Sequence, residues 1–531
     1  MSKGLASDRY VLAVDLGTSG CKAALVSIDG KVAAWEFERV ETLLFPNGGA
    51  EQDPEAWWQA LLRVAKKLIG SRLAAPSQIV AVCCSTQGEC TVAVDADGRP
   101  LMNAILWMDA RGAPHLKRIT GGLINIAGYH PLRLWRWVRL TGGAPSLAGK
   151  DPAAHMLYVK HERPDVYART YKFLNALDYL NLRLTGRYAA TADSILTSWV
   201  TNNRDPTNVV YSPALLRACG IAAEKFPDLV KCTDVIGTLR PEVAAEIGLG
   251  RDVAVVAGAI DNTAAAVGSG AVRDYEAHLY VGTSSWLAAH VPFKKTDVVS
   301  ALASVPCAIP GRYLLTALQA TAGGNLTFLR DQILYHNDEL LREEQAPDVY
   351  QLMDRMAART PAGSNGVLYT PWIYGERAPV EDATVRAAIF NLSLENSRAD
   401  IIRAVLEGVA FNTRWLLQPF EKFLGRRLEA INIVGGGAAA DVWCQIFADV
   451  LDRPIRQVRD PIQTNARGAA FIAAVGLGLM SYDDIPERVT YEREYRPTAA
   501  HGAIYAAHFR EFVNIYRRNK GIYRRLNGRL R

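Results

Sequence analysis

Hydrophobic and polar positions alternate along this chain in blocks that repeat. Tyr10–Val14 is a short apolar strand that runs into Asp15-Leu-Gly-Thr-Ser-Gly20, and Asp29-Gly30 marks a hairpin turn between Ala23–Ile28 and Lys31–Phe37. Asp53–Ile69 carries Trp57, Leu61, Val64 and Leu68 at helical spacing, with Asp53 as cap and Pro54 in the first turn. Ile79–Cys84 predicts a buried strand that ends in Ser85-Thr-Gln-Gly-Glu89. Leu132–Leu140 sets Arg133, Arg136 and Arg139 against Leu134, Trp135, Trp137 and Val138, which predicts a packed helix with solvated arginines. Tyr171–Leu184 predicts a helix stopped by Gly186, and Thr201–Ser212 a connecting loop. Val253–Ala259 predicts a strand, and Asn262–Gly270 a helix of small residues.

The pattern then starts again. Leu279–Val291 runs from an apolar strand through Gly282-Thr283-Ser284 into another apolar strand, as Val11–Val26 does through Gly17-Thr18-Ser19. After it come a helix start at Gly323-Gly324, an aromatic and Pro-rich loop at Leu368–Pro379 and a long helix from Arg398 to Leu416. A strand at Ile431–Val434 is followed by Gly435-Gly-Gly437, a helix over Ala438–Leu451 and another small-residue helix over Ala466–Gly478. Two halves that begin alike imply a duplicated α/β fold. The joint falls near Gly270–Glu276, giving one lobe over residues 1–272 and another over 273–531.

Between the repeats lies one isolated acid. Val256–Gly270 is small and apolar except for Asp261 and Asn262. A carboxylate in such surroundings is costly to desolvate unless it faces a cleft. That makes Asp261 the candidate general base. Glycine turns bring backbone amides close to phosphates, and Thr or Ser hydroxyls add donors. Thr18, Ser19, Gly282, Thr283 and Gly323 are therefore candidate phosphate ligands. Polar residues just past strand ends, Gln87, Glu89, Trp107 and Asp109, suit an acceptor rich in hydroxyls; the alternative is that Glu89 and Asp109 pair with neighbours such as Arg111.

Composition narrows the classes. A chain of 531 residues, 49% hydrophobic and 21% charged, is an ordinary globular protein of more than one domain. The formal charge of +6 is matched by seven basic residues after Glu511, namely Arg517, Arg518, Lys520, Arg524, Arg525, Arg529 and Arg531, read as a solvated tail. The near-neutral body gives no support to nucleic-acid binding. The cysteines are scattered, which points to a reducing, cytoplasmic setting. MSKGLASDRY has no apolar signal segment, and no apolar run is long enough for a bilayer span. The sequence lacks a P-loop, a zinc-binding His/Cys set and a Gly-x-Ser-x-Gly elbow. Gly435-x-Gly437-x-x-Ala440 resembles a dinucleotide fingerprint, but little more than one βαβ unit follows it.

Eight segments together resemble the FGGY family of carbohydrate kinases over nearly all of residues 10–480. They are Asp15–Gly20, Glu51–Trp57, Ile105–Asp109, Gly258–Asn262, Val281–Ser284, Tyr374–Pro379, Arg403–Gly408 and Val434–Ala438. The resemblance implies two actin-like (ribonuclease-H-like) lobes closing over ATP, Mg²⁺ and a small sugar or polyol. It makes Asp261 the base and places Asp15 by Mg²⁺. It puts Thr18, Ser19, Lys22, Gly282, Thr283 and Gly323 around the phosphates, and Gly436 and Gly437 at the adenosine. Gln87, Gly88, Glu89, Trp107, Asp109 and Asn262 would bind the acceptor.

Two departures from the family pattern matter: Ala440 stands where a Ser or Asn commonly follows the glycine turn, which removes one possible nucleotide hydrogen bond, and the other departure bears on the substrate. D-xylulose kinases usually carry Met-His-Gly where this chain has Gln87-Gly88-Glu89. Glycerol kinases resemble it at Glu89 and Trp107 but carry Arg at Gly88 and Gln at Asn262. Asp261-Asn262 favours the xylulose kinase branch, with a ketopentose as first expectation and a polyol such as glycerol or erythritol as second. A sugar- or nucleotide-binding regulator without catalysis is the reading of another class, and a homodimer is left open.

Overall fold

A computed structural model describes residues 9–126, 128–334 and 349–528. Of the predicted elements, Arg529 and Arg531 of the tail and most of the N-terminal segment lie outside these residues.

The first sheet holds strands β1 (Tyr10–Gly17), β2 (Gly20–Ser27), β3 (Val32–Arg39), β4 (Ile79–Thr86), β5 (Val235–Thr238) and β6 (Ala254–Ile260), in the spatial order β5-β6-β4-β1-β2-β3. β1, β2 and β3 form an antiparallel meander, β4 pairs parallel with both β1 and β6, and β5 closes the edge antiparallel. The second sheet holds β7 (Ala277–Val281), β8 (Ser285–Val291), β9 (Thr296–Asp297), β10 (Leu302–Pro306), β11 (Tyr313–Gln319), β12 (Ile431–Val434), β13 (Ile455–Val458) and β14 (Tyr491–Tyr495). Its order is β9-β10-β11-β8-β7-β12-β13-β14. Here too an antiparallel run is continued by parallel strands, β7 with β12 and β12 with β13, and closed by an antiparallel edge. The repeat seen in the sequence is thus a repeat of sheet topology.

The strand period of two sorts β1 between two cores. Leu12, Val14 and Leu16 join the cluster formed with helix α1 (Pro54–Gly70), where Trp57, Leu61, Val64 and Leu68 are all buried. Val11 and Ala13 face the other way, onto Ala466, Ala469, Ala470 and Phe471. These belong to Thr464–Gly476, a helix near the end of the second half that lies on the face of the first sheet. Chain order alone therefore does not separate the lobes. Val434 and Val458, from the second sheet, join the same cluster.

The other expectations are met with shifted ends or corrected. Asp53 caps α1 by accepting from the Glu55 amide. Tyr171–Leu184 is not one helix: Lys172–Leu174 is a strand paired with Val92–Val94, and the helix starts at Ala176 behind an Asn175 cap. The helix at Pro131–Thr141 buries only Trp137 and Thr141, leaving Leu132 and Trp135 exposed, so it is less packed than its sequence suggests. The described basic residues of the tail, Arg517, Arg518, Lys520, Arg524 and Arg525, are exposed as expected, but they stand on a helix, Gly502–Asn527, that buries Tyr505, Phe509, Phe512 and Tyr523. Among the described residues no helix is long and apolar enough to cross a membrane.

Candidate active site

The first-half residues meet where β1, β4 and β6 end. Register sets Asp15 opposite both Ser85 and Lys22, and Ile260 opposite Thr86, so the segments that follow emerge side by side. Asp261 is the first residue of α2 (Asp261–Gly268) and is half-buried. Its Oδ1 accepts from the Asn262 amide at 2.7 Å. Burial first, then the charge of Asp15, pushes its carboxyl up to about 7. Asp15 is 9% exposed and lies 3.5 Å from Lys22 Nζ, which also donates to the Ile462 carbonyl at 2.9 Å.

Two residues that the sequence reading missed hold this group in place. Asp193, buried, accepts at 2.7 Å from the Ile260 amide and from Thr263 Oγ1, bracketing Asp261. Burial raises its carboxyl to about 7 as well. It too is a lone acid among small residues, in Ala189–Ser194, so the criterion that found Asp261 could have found it. Asn465 reaches Asp15 Oδ1 with its Nδ2 at 3.2 Å, a pairing across 450 positions that no local pattern announces.

The helix that carries Asn465, α3 (Thr464–Gly476), crosses α2 at almost bare backbone. A Cβ on Gly268 would stand 1.9 Å from the Thr464 carbonyl oxygen, and one on Gly468 1.9 Å from that of Ala264. Only glycine permits this approach.

Several predicted ligands prove to be wired into the protein itself. Thr18 Oγ1 donates to Gln87 Oε1 at 2.7 Å and accepts from Trp107 Nε1 at 3.0 Å. Gln87 is buried and its amide nitrogen donates to Gln52 Oε1 at 3.0 Å, so it forms the wall beneath the cleft. Asp109 is corrected outright as an acceptor ligand. It is 1% exposed, and its oxygens accept from the Ala50 amide and from the Arg111 amide and Nε, all at 2.9 Å. Arg111 also reaches Glu51 at 2.6 Å. Gly88 packs against Ile260, where a Cβ would meet Cδ1 at 3.3 Å. Asn262 Nδ2 donates to Thr316 Oγ1 at 2.9 Å, joining α2 to β11.

Glu89 stays in the cleft. Its side chain is 26% exposed and 4.0 Å from the Arg377 guanidinium, which comes from the second half. The neighbouring Glu376 fixes that loop: it accepts from the Ala320 amide at 2.8 Å and the Arg377 amide at 2.7 Å, and from Asn412 Nδ2.

In the second half the loops nest closely. The Gly323 amide donates to the Gly282 carbonyl at 2.8 Å, and the Ala322 and Gly324 amides donate to that of Thr283. The Gly323 amide is therefore bonded within the protein, and its glycine is explained by the Gly282 oxygen, 2.7 Å from where a Cβ would be. Thr283 is exposed at the loop tip, as Ser19 is at the first hairpin. Gly435 and Gly437 pack on Val281, while Gly436 is exposed with nothing within 4 Å of a Cβ.

Family models match almost the whole of this arrangement. The N-terminal domain model of the FGGY family of carbohydrate kinases covers residues 10–268, and its C-terminal domain model residues 277–477. The chain belongs to that family. This carbohydrate kinase is 28% identical to the xylulose kinase of Bacillus subtilis (strain 168) over 522 residues, 97% of this chain and 98% of that protein. It is 24% identical to the gluconokinase of the same organism, with 96% of each chain covered. Among solved structures, the xylulose kinase from Lactobacillus acidophilus superposes with a TM-score of 0.84 at 23% identity, over 98% of this chain and 100% of that one, which shows a shared fold. The enzyme is a phosphotransferase with a sugar acceptor.

Proposed function

We propose that this carbohydrate kinase transfers the γ-phosphoryl group of ATP to a hydroxyl of a ketopentose such as xylulose, with Asp261 as general base. The observation that carries the reading is the setting of Asp261: half-buried at the head of α2, raised to about 7 by burial and Asp15, and braced by Asp193 on either side. A base with that pKa accepts a proton near neutral pH and can be rebuilt each turnover. Phosphoryl transfer asks little else of the protein beyond alignment and neutralisation of charge.

Asp15 fits a role beside a divalent cation, because its charge raises the carboxyl of Asp261 and a nearby cation offsets that repulsion. Among the described residues no three His, Cys, Asp or Glu side chains gather to hold a metal. The fit is therefore to Mg²⁺, which takes one or two carboxylates and completes its shell with phosphate and water. Such an ion would supply charge neutralisation at the transferring phosphoryl group. Lys22, Ser19 and Thr283 would line the phosphates, and Gly436, with open space above it, the adenosine. The first lobe would carry the acceptor on Glu89 and Trp107, and the second the nucleotide.

The xylulose preference is supported by the 28% identity to xylulose kinases along nearly the full chain and by Asp261-Asn262. Glu89 favours a second acceptor class, polyols such as glycerol or erythritol, since a carboxylate accepts from two neighbouring hydroxyls. The deciding test is ADP formation with D- and L-xylulose, ribulose, glycerol, erythritol and gluconate, each with MgATP. The highest kcat/KM with a xylulose supports the proposal; a higher value with gluconate or a polyol replaces it. ATP consumption unaffected by every acceptor would favour the binding regulator.

A further inference from the structure

No acid stands between Asp109 and Asp151, while seven lysines and arginines do. Lys117, Arg118, Arg136 and Arg139 are exposed and, among the described residues, none of them is paired with an acid. The same stretch also turns large apolar side chains outward. Leu123, Ile124, Ile126, Leu132 and Trp135 each leave more than half of their surface uncovered.

This surface is held in shape. Arg133 Nη1 donates to the carbonyls of Ile119 at 2.8 Å and Gly121 at 2.6 Å, and the His130 amide to that of Thr120 at 2.9 Å. The loop bearing Leu123, Ile124 and Ile126 is thereby pinned to the first turn of the helix Pro131–Thr141. Along that helix Leu132, Trp135, Arg136 and Arg139 fall at i, i+3, i+4 and i+7, so they share one face. The Arg139 guanidinium lies over the Trp135 ring, 5.0 Å from its centroid. The other side of the helix is anchored. Trp137 is buried with its Nε1 on the Trp199 carbonyl at 3.2 Å, and Lys294 Nζ from the second half reaches the Val138 and Arg139 carbonyls at 2.8 and 3.0 Å.

Apolar side chains and unpaired cations mixed on one face are matched by an apolar layer that carries anions at its boundary. Trp and Arg suit that boundary, the indole resting among headgroups while the guanidinium reaches phosphate. Leu123 is fully exposed, and a fluid acyl layer accommodates such a projecting residue without a pre-shaped pocket. A second copy of this chain fits poorly, because a twofold contact would set Arg136 and Arg139 against their own copies. We propose that this face docks the enzyme on an anionic lipid surface. Leu123 and Ile124 enter the acyl boundary, Trp135 lies at the headgroups, and Lys117, Arg118, Arg136 and Arg139 meet the lipid phosphates. The contact is peripheral, and it stands whichever acceptor the cleft takes.

The test is co-sedimentation of the full chain with vesicles of phosphatidylcholine alone and of phosphatidylcholine containing about 30% phosphatidylserine. Wild type should bind the anionic vesicles and not the neutral ones, and binding should weaken as salt is raised. The double variants Leu123→Ser with Ile124→Ser, and Arg136→Gln with Arg139→Gln, should each raise the half-saturating lipid concentration by about tenfold or more. Both change exposed side chains, so melting temperature and kinase activity in solution should match wild type. No binding of wild type to the anionic vesicles overturns the proposal, and vesicle binding that neither pair changes overturns it as well. Binding abolished by the arginine pair and untouched by the Leu123 and Ile124 pair would replace the lipid with an acidic protein partner. Concentration-dependent dimerisation that the Leu123 and Ile124 pair abolishes, seen by sedimentation equilibrium, would give the face to a second copy instead.

Discussion

Asn465 and Asp15 are joined by a hydrogen bond of 3.2 Å, from Nδ2 to Oδ1, between residues 450 positions apart. It ties the strand that ends in the first glycine turn to a helix from the end of the second half. The bond orients the carboxylate that faces Lys22 and influences Asp261. Asn465→Ala should therefore raise the ATP KM by about tenfold, in line with ~1.5–3 kcal/mol for a bond to a charged group, and leave the acceptor KM near wild type. Titrating Mg²⁺ against the variant should show a higher half-saturation. A rise in acceptor KM alone would separate Asp15 from the nucleotide.

Asp261→Asn removes the proposed base and keeps its shape. The turnover number should fall by about 10²–10⁴-fold while melting temperature holds. The wild-type pH profile supplies an independent check. A base works when ionised, so with its carboxyl at about 7 the kcat/KM should climb as pH rises through about 7. Activity that falls over that range would assign the titration to another group.

The crossing of α2 and α3 predicts an effect at a residue far from any ligand. Gly468→Ala would put a methyl 1.9 Å from the Ala264 carbonyl oxygen, and the two helices must part. A loss of about 1–3 kcal/mol or more should appear in thermal melting, with lower kcat because α2 carries Asp261. Gly502→Ala, where nothing lies within 4 Å of the added methyl, is the control and should melt like wild type. Equal melting of both variants would mean the crossing is looser than described.

Much of this was legible in the sequence because its causes are local. The Gly-Thr-Ser turns, the Asp53 cap and the burial of one α1 face follow from spacing and side-chain chemistry. Asp261 was legible as an acid where no acid belongs. What stayed hidden is long-range. Nothing near Asp109 in the chain says that Ala50 and Arg111 will occupy its carboxylate, and nothing near Gly323 says that its amide will meet Gly282. Asn465 and Arg377 become site residues only when the second half folds back over the first. The Lys172–Leu174 strand was hidden differently. Its short apolar run joins smoothly to a helical pattern, and only the pairing with Val92–Val94 decides between them.

Thr18 gives the sharpest contrast between the two levels. As part of a glycine turn it is expected on phosphate, yet its hydroxyl donates to Gln87 at 2.7 Å and accepts from Trp107 at 3.0 Å. Thr18→Val deletes both bonds and leaves Gln87 Oε1 and Trp107 Nε1 each short of a partner. An unsatisfied buried polar group costs ~1–3 kcal/mol, so stability should drop measurably in thermal or urea unfolding. Gln87 precedes Gly88 and Glu89, and Trp107 stands on the same wall, so the acceptor KM should rise with it. The ATP KM should move less. Thr18→Ser keeps the hydroxyl and should restore most of both quantities. A valine variant that melts like wild type and loses only ATP affinity would return the hydroxyl to the phosphates, and the wall formed by Thr18, Gln87 and Trp107 would then have no part in holding the acceptor.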